Sequence, residues 1–292
     1  MPILPVGMPV PLDDSTLDAF EPVAIDCVRA AGAEALRHFR TGILAEDKGG
    51  ETFYNPVTAA DRLAELAIRN RLASQFPDHG LFGEEHGFEP GRSPLTWVID
   101  PIDGTKAFLT GMLHWGVLLA LYDGSAPVLG LMYQPFTDEL FVGRRGSARY
   151  CRGGEVRYLR VRPCAGLHDA ALASTGTDYF APQALERFLR VKARARLTRY
   201  GGDCYLYALL AMGQLDLVVE WGLKPYDIQA MMPLVHAAGG VITSWDGGDC
   251  SQGGAVVAAG DPAVHAEALA LLAGLAPEAG AGVPNGSDEV QA

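Results

Sequence analysis

Residues 97–105 read Trp-Val-Ile-Asp-Pro-Ile-Asp-Gly-Thr. The apolar residues 97–99 are typical of a buried strand, which Pro101 is expected to end. Asp100 and Asp103 then stand at the end of the strand, directly before a glycine whose backbone can approach an anion closely. Hard carboxylate oxygens beside phosphate-binding N–H groups predict a metal and phosphate site.

A simpler interpretation is that Asp100 and Asp103 only cap a turn or the helix that follows, as many aspartates near Gly and Pro do. Further acidic residues in similar contexts argue against it. They are Glu84 and Glu85 in Gly-Glu-Glu at 83–85, Asp61 at the end of Asn-Pro-Val-Thr-Ala-Ala-Asp at 55–61, and Asp227 at the end of Lys-Pro-Tyr-Asp at 224–227. Spacing alone does not join these positions into one site.

Taken together, the motifs resemble those of the inositol monophosphatase family of magnesium-dependent phosphomonoesterases. The matching elements are Gly-Glu-Glu at 83–85, Asp-Pro-Ile-Asp-Gly-Thr at 100–105, and Asp227 opening a helix before Gly239-Gly240. The resemblance extends from about residue 17 to about residue 272. It implies an α+β or α/β fold, a layered α/β/α/β/α sandwich of the inositol monophosphatase type.

The composition narrows the class of protein. The chain has 292 residues, 49% of them hydrophobic, enough for one large core or two closely packed ones. A formal net charge of -12 argues against nucleic acid or an anionic membrane as partner, because phosphate groups are bound by clustered Lys and Arg. Five cysteines without a C-x-x-C pair predict reduced thiols and a cytoplasmic protein. No apolar run reaches the roughly 18 residues that a membrane span needs.

Periodicity predicts helices first, then an antiparallel meander over residues 97–162, then alternating helices and strands. The first helix carries apolar residues from Leu17 to Phe39, and Pro22 is expected in its first turn. A second helix follows Asp61. The predicted divisions are an extended arm (1–14), an N-terminal α+β domain with the metal-phosphate site (15–164), a C-terminal α/β domain with the substrate pocket (165–276) and a disordered tail (277–292).

The resemblance also implies the roles of individual residues. Two or three Mg²⁺ ions are expected, with Asp103 as the bridging ligand; the implied ligands are Glu84, Asp100, the Ile102 carbonyl, Asp103 and Asp227. Asp61 and Thr105 are implied to orient and deprotonate the attacking water, with Glu84 also in the catalytic set. The N–H groups of Gly104 and Thr105 are implied to hold the phosphate, and Asp227 also to face the substrate. Glu85 either supports the ligands from behind or is simply solvated.

A second phosphatase chemistry uses an aspartyl nucleophile in a D-x-D motif. Here the spacing is D-x-x-D, with Pro101 after the first aspartate, and the partner motifs of that class are missing from the sequence. A water nucleophile without a covalent phosphoenzyme is therefore the preferred chemistry.

Substrate choice is expected to depend on the C-terminal half, which looks closest to the histidinol-phosphatase branch of the family. The stretches concerned are residues 199–207, 213–220 and 223–230. Glu220 and Asp203 are then the carboxylates that face the substrate, and Arg199 lines the pocket. Alternatively, Asp203 is a helix cap and Arg199 a surface or interface cation.

The predicted reaction is hydrolysis of L-histidinol phosphate to L-histidinol and phosphate, a step of histidine biosynthesis. Alternatives are an inositol-1-monophosphatase, a phosphatase of nucleotide 3′-phosphates, or a catalytically silent ligand-binding protein on the same fold. A small phosphorylated substrate and a homodimer are expected, the latter because the family commonly dimerises.

Overall fold

The structure, a computed structural model, describes residues 4, 7–42, 44–47 and 56–273. The α-helices in this part of the chain are α1 (Asp14–Leu36), α2 (Ala59–Gln75), α3 (Thr105–Leu109), α4 (Pro182–Lys192), α5 (Tyr205–Ala211), α6 (Pro225–Ile228), α7 (Met231–Ala237) and α8 (Pro262–Leu272). Short 3₁₀ helices span Leu167–Asp169 and Thr177–Tyr179. The predicted disordered tail, residues 277–292, lies outside the described residues.

The strands are β1 (Glu46–Asp47), β2 (Pro56–Val57), β3 (Gly80–Gly83), β4 (Gly87–Glu89), β5 (Thr96–Asp103), β6 (Gly116–Tyr122), β7 (Pro127–Gln134), β8 (Glu139–Arg144), β9 (Ser147–Arg152), β10 (Glu155–Tyr158), β11 (Ala171–Ser174), β12 (Leu197–Tyr200), β13 (Leu217–Leu223), β14 (Val241–Ser244) and β15 (Gly254–Ala259). Eight of them form a large sheet in the order β10-β9-β8-β7-β6-β5-β3-β4. A small sheet of five has the order β12-β11-β13-β15-β14.

The helices divide into three layers around these two sheets. Helices α1 and α2 contact one face of the large sheet, and α6 and α7 contact its other face. Helix α7 also contacts β14, and α5 contacts β13, so the middle layer touches the small sheet too. Helix α8 contacts β15 and pairs with α4 beyond the small sheet. The order of layers is α/β/α/β/α, which confirms the predicted sandwich.

One buried cluster joins the two halves of the chain through this middle layer. It includes Val98 and Ala120 of the large sheet, Val218 of the small sheet and Met231 of α7. Burying apolar surface from both halves in one interior stabilises their mutual position. The division at residue 164 therefore stays an interpretation of the sequence, since helices from the second half cover the sheet of the first.

Strand β5 differs from its prediction, because it continues through Pro101 to Asp103. Its pairing with β6 shifts between Asp100, opposite Leu118, and Asp103, opposite Gly116. One extra residue on β5 therefore makes a β-bulge, where a proline without an N–H is tolerated. Strict alternation would place residues three apart on opposite faces. The bulge instead brings both aspartates to the same side.

Helix α1 also corrects a prediction, because Pro22 lies inside the helix and not in its first turn. The helix begins earlier, where the Asp13 side chain accepts a hydrogen bond of 2.8 Å from the Thr16 N–H. A proline at this depth costs one backbone hydrogen bond. The buried face of the helix, which includes Ala24 and Val28, offsets that loss by packing on the large sheet.

The antiparallel meander is confirmed over β5 to β10, although its end differs in detail. The last strand, β10, ends at Tyr158, four residues before the predicted end of the meander at residue 162. All five cysteines are free thiols, as predicted. In the described ranges, no helix is both long enough and apolar enough to cross a membrane.

Candidate active site

A cavity of about 230 Å³ opens between the two halves of the chain at the end of β5. The first half contributes Glu84, Asp103, Gly104, Thr105 and Lys106; the second contributes Thr175, Tyr179, Asp203, Cys204, Tyr207, Glu220, Trp221, Tyr226 and Asp227. Glu84 and Thr105 of the predicted catalytic set thus share one space with the predicted substrate residues Asp203, Glu220 and Asp227. The predicted catalytic Asp61 is not among the lining residues. A cleft that collects polar groups from separate segments is the usual form of a small-molecule site.

Three carboxylates form the centre of this site. Oxygens of Asp100, Asp103 and Asp227 all lie within 4.8 Å of one another. The bulge in β5 orients the first two. Asp227 stands in the first turn of α6, where its Oδ2 accepts a hydrogen bond of 2.7 Å from the Lys224 N–H. Glu84 lies outside this group of three but lines the same cavity.

The electrostatics of the cluster favour a cation. Burial, followed by repulsion from Glu84 and Asp103, raises the pKa of Asp100 well above its ordinary value. Burial also raises the pKa of Asp103 and of Asp227 to about 7, and neighbouring carboxylates add to both shifts. A bound divalent cation removes this repulsion and restores the ionised state. Carboxylate oxygens at this spacing fit a hard ion such as Mg²⁺ or Ca²⁺.

These pKa shifts predict how the stability of the metal-free protein depends on pH. Asp103, Asp203 and Asp227 titrate at about 7 in the folded chain, against an ordinary value of 3.8. The folded state therefore binds more protons between about pH 4 and about pH 7, and this contribution to stability is lost as the pH rises through that window. In EDTA, the urea midpoint should fall across it, and Asp227→Asn should make the fall shallower. A midpoint that rises across the window would contradict the prediction.

Asp61 and Thr105 lie next to each other, as predicted. Thr58 caps α2, and its N–H and hydroxyl donate to Asp61 Oδ2 at 2.8 and 2.6 Å. The other oxygen, Asp61 Oδ1, lies 3.4 Å from Thr105 Oγ1, which is also 3.2 Å from the Ile102 carbonyl oxygen. Because a hydroxyl has one proton, Thr105 can donate to only one of these two acceptors, and its oxygen can still accept a hydrogen bond from another group. It can therefore pass a proton from water to Asp61.

Gly104 connects the strand to α3 with a backbone that only glycine adopts easily. Its φ is +87°, and a Cβ at this position would lie 2.6 Å from the His114 carbonyl oxygen. The glycine thus lets the chain turn from the aspartates directly into a helix start. The N–H groups of Gly104 and Thr105 stand at that start, beside the carboxylate cluster.

Glu220 and Asp203 form a second acidic region in the same cavity. Glu220 is only 4% exposed, and its Oε1 accepts hydrogen bonds from the Thr175 N–H at 2.6 Å and from Thr175 Oγ1 at 2.9 Å. Burial raises its pKa to about 8. Burial and the proximity of Glu220 raise the pKa of Asp203 to about 7. Asp203 has a left-handed backbone, with φ +47°, and precedes the N-cap residue of α5, Cys204.

The prediction that Arg199 lines the pocket is wrong. Arg199 is exposed on β12, the edge strand of the small sheet, and is not among the residues that line the cavity. At an edge, side chains on both faces are easily left in solvent. The alternative, a surface or interface cation, fits its position.

Several lining residues were not assigned a role from the sequence. Thr175 could have been found, because it follows β11 directly and Glu220 lies on the parallel strand β13, two residues beyond Val218, the last residue that pairs with β11. Side chains at the carboxyl ends of adjacent parallel strands meet at one edge of a sheet. Tyr179 and Trp221 carried no such signal, since isolated aromatic residues are more often part of a core.

Comparison with known proteins identifies the family of the chain. A profile of the inositol monophosphatase family matches residues 16–279. The bifunctional phosphatase IMPL2, chloroplastic, of Arabidopsis thaliana is 38% identical over 275 residues, which cover 90% of this chain and 78% of that protein. A histidinol-phosphatase of Chlorobaculum parvum is 34% identical over 227 residues, 77% of this chain and 85% of that one.

Solved structures also include members of this family that resemble the chain. An inositol monophosphatase from Zymomonas mobilis superposes with a TM-score of 0.77 at 36% identity, covering 87% of this chain and 98% of that chain. This neighbour supports the fold. The chain therefore belongs to the inositol monophosphatase family, and it is a phosphoric monoester hydrolase.

Proposed function

We propose that this hydrolase acts on L-histidinol phosphate with Mg²⁺ as its metal. The observation that carries the proposal is the second acidic region, Glu220 and Asp203, in the cavity that also contains Asp103 and Asp227. Histidinol phosphate has a phosphate at one end, an imidazole at the other end and a cationic amine between them. Inositol phosphate offers only hydroxyl groups to the same region. The histidinol-phosphatase among the relatives supports this choice.

We expect the three parts of the substrate to contact different parts of the cavity. The phosphate would lie at Gly104 and Thr105, and the amine would meet Glu220 and Asp203 through charge-assisted hydrogen bonds. The rings of Tyr179 and Trp221, which also line the cavity, offer flat surfaces for the imidazole.

The proposed metal ligands are those of the acidic cluster and its neighbours. Two or three Mg²⁺ ions would be held by Glu84, Asp100, the Ile102 carbonyl, Asp103 and Asp227. Bound Mg²⁺ supplies charge neutralisation at the phosphate and lowers the pKa of the attacking water.

The chain's own groups perform the remaining steps. The Thr105 hydroxyl accepts a hydrogen bond from the attacking water and donates its own proton to Asp61 Oδ1, the general base. Two hydrogen bonds from Thr58 keep Asp61 in place for this role. The N–H groups of Gly104 and Thr105 orient the phosphate, while Asp227 faces both the metal region and the substrate.

A second candidate substrate is inositol 1-phosphate, favoured by the likeness to the Zymomonas mobilis inositol monophosphatase. A nucleotide 3′-phosphate is a third possibility within the same chemistry. Phosphate release measured with all three esters at one Mg²⁺ concentration tests the assignment. A preference for inositol 1-phosphate would transfer the proposal to that substrate.

We further propose that the protein forms a homodimer. We also propose that it has no nucleic-acid partner, because the net charge is -12.

The acidic region makes a specific prediction. Glu220→Gln and Asp203→Asn should each weaken binding of histidinol phosphate in the transition state by about 1.5 to 3 kcal/mol, the range for a charged hydrogen bond. In Glu220→Gln, the amide oxygen of the new side chain can still accept both Thr175 bonds, because they converge on one oxygen of the glutamate. The weaker binding therefore results from the lost negative charge at the other oxygen, Oε2. The change in kcat/KM measures it.

Two controls separate substrate recognition from other effects. A phosphate ester of similar length without the amine should be hydrolysed almost as well by the variants as by the wild type. Asp178→Asn removes an exposed negative charge next to Tyr179, outside the cavity lining, and should leave kcat/KM nearly unchanged. Equal losses on both esters would place Glu220 and Asp203 in the catalytic centre instead.

A further inference from the structure

A buried carboxylate lies behind the active site on the helix that carries Asp61. Glu65 is 0% exposed and follows Asp61 by four residues, so both side chains project from the same face of α2. Neither the sequence motifs nor the proposed mechanism uses it. A charge removed so completely from water requires specific partners.

Two of those partners are backbone N–H groups of the loop that contains Glu84, and a third is Arg69 on the same helix. Glu65 Oε2 accepts a hydrogen bond of 2.7 Å from the Glu85 N–H, and Oε1 accepts one of 3.2 Å from the His86 N–H. Arg69 donates its Nε–H to Glu65 Oε1 at 2.7 Å, and its Nη2 group donates to the Gly87 carbonyl. Helix α2 thereby holds the backbone on the C-terminal side of Glu84.

On the N-terminal side, the carboxylate lies directly against Gly83. A Cβ on Gly83 would lie 2.0 Å from Glu65 Oε1, so this approach is possible only with glycine. Glu84 itself donates its N–H to the Ile99 carbonyl at 3.2 Å. The backbone around Glu84 is therefore fixed by the Glu65 carboxylate on one side and by β5 on the other.

We infer that Glu65 is a positioning residue that holds the Glu84 carboxylate toward the metal cluster. The inference rests on the proposed role of Glu84 as a metal ligand. One helix then sets the positions of both the general base, Asp61, and a metal ligand from a separate loop. Ligand carboxylates whose surrounding hydrogen bonds are lost usually bind their metal more weakly.

Glu65→Gln tests this inference with little change in shape. Its amide nitrogen would have to face a donor, either the Glu85 N–H or the pair formed by the His86 N–H and Arg69 Nε–H, so at least one anchor is lost. Mg²⁺ affinity, measured by calorimetry with the metal alone, should fall by about tenfold or more. Amide hydrogen exchange at Glu85 and His86 should become faster. At saturating Mg²⁺, kcat should stay within about threefold of wild type, because a bound metal reorders the ligand.

Glu89→Gln is the matched control. Glu89 is an exposed partner of the same arginine, 3.6 Å from Arg69 Nη1, and its loss should change neither Mg²⁺ affinity nor exchange. Gly83→Ala is a second variant that keeps every charge but displaces the Glu65 carboxylate. It should weaken Mg²⁺ binding in the same way, and it decides the question if Glu65→Gln does not fold.

The outcomes distinguish this inference from the assignment of Glu84. If Glu84→Gln weakens Mg²⁺ binding but folded Glu65→Gln and Gly83→Ala do not, the positioning role is overturned and Glu65 serves stability alone. If Glu84→Gln also leaves Mg²⁺ affinity unchanged, the metal role of Glu84 is itself wrong. Weaker binding in Glu84→Gln and in either test variant, with normal binding in Glu89→Gln, supports the inference.

Discussion

Asp103→Asn should lower kcat by roughly 10²- to 10³-fold or more at saturating Mg²⁺, while the protein stays folded. The β5 bulge brings the Asp103 carboxylate to Asp100 and Asp227, so that oxygens of all three lie within 4.8 Å of one another. Asparagine keeps an oxygen for the hydrogen bond of 2.6 Å from the Cys204 N–H but removes the negative charge. Since repulsion between the carboxylates falls, the metal-free variant should be at least as stable to urea as the wild type.

Asp123→Asn provides the comparison. Asp123 is also buried, at the far end of β6, where its Oδ1 accepts the Ser125 and Ala126 N–H groups at 2.8 Å each. This variant should keep its turnover, because the carboxylate serves a turn and not the site. Near-normal turnover of Asp103→Asn at saturating Mg²⁺ would contradict the assignment of Asp103 as a metal ligand.

Thr105→Ala should slow the chemical step by about 10²- to 10⁴-fold, the usual contribution of a positioned proton-transfer group. Mg²⁺ affinity should remain nearly intact, since the side chain that is lost is an uncharged hydroxyl, 3.4 Å from Asp61 Oδ1. Single-turnover measurements at saturating Mg²⁺ give the rate, and calorimetry gives the affinity.

Thr105→Ser is the matched variant, because it keeps the hydroxyl and loses only a methyl group. Its chemical step should lie close to that of the wild type. A parallel loss of metal affinity in Thr105→Ala would mean that the threonine supports the cluster instead of activating water.

The sequence motifs predicted which residues form the site, but not the backbone geometry that brings them together. Asp100, Asp103 and Asp227 were identified from short sequence elements, and these residues do converge. The bulge that makes the convergence possible was not foreseen, because Pro101 was taken as the end of the strand. A bulge depends on pairing with β6, and a single strand's sequence does not contain its partner's register.

The burial of Arg199 and of Glu65 could not be predicted from the sequence. Arg199 was placed in the pocket by its neighbours in sequence, but the position of β12 at the sheet edge leaves it in solvent. Glu65 had the appearance of an ordinary helical glutamate, and only the loop that folds over it gives it a role. Long-range contacts decide the burial of both side chains. The periodicity of apolar residues indicates only which face of its own helix or strand a residue occupies, and not what covers that face.

The shared middle layer affects how substrate reaches the site. Helices α5 and α7 pack in one buried cluster with residues of both sheets, so the two halves cannot swing apart without opening that core. We therefore expect entry and product release to depend on side chains and loops of the cavity lining, in which Lys106 Nζ lies 3.0 Å from Tyr179 Oη. If release limits turnover, kcat should respond to substitutions at this contact and not to changes between the sheets.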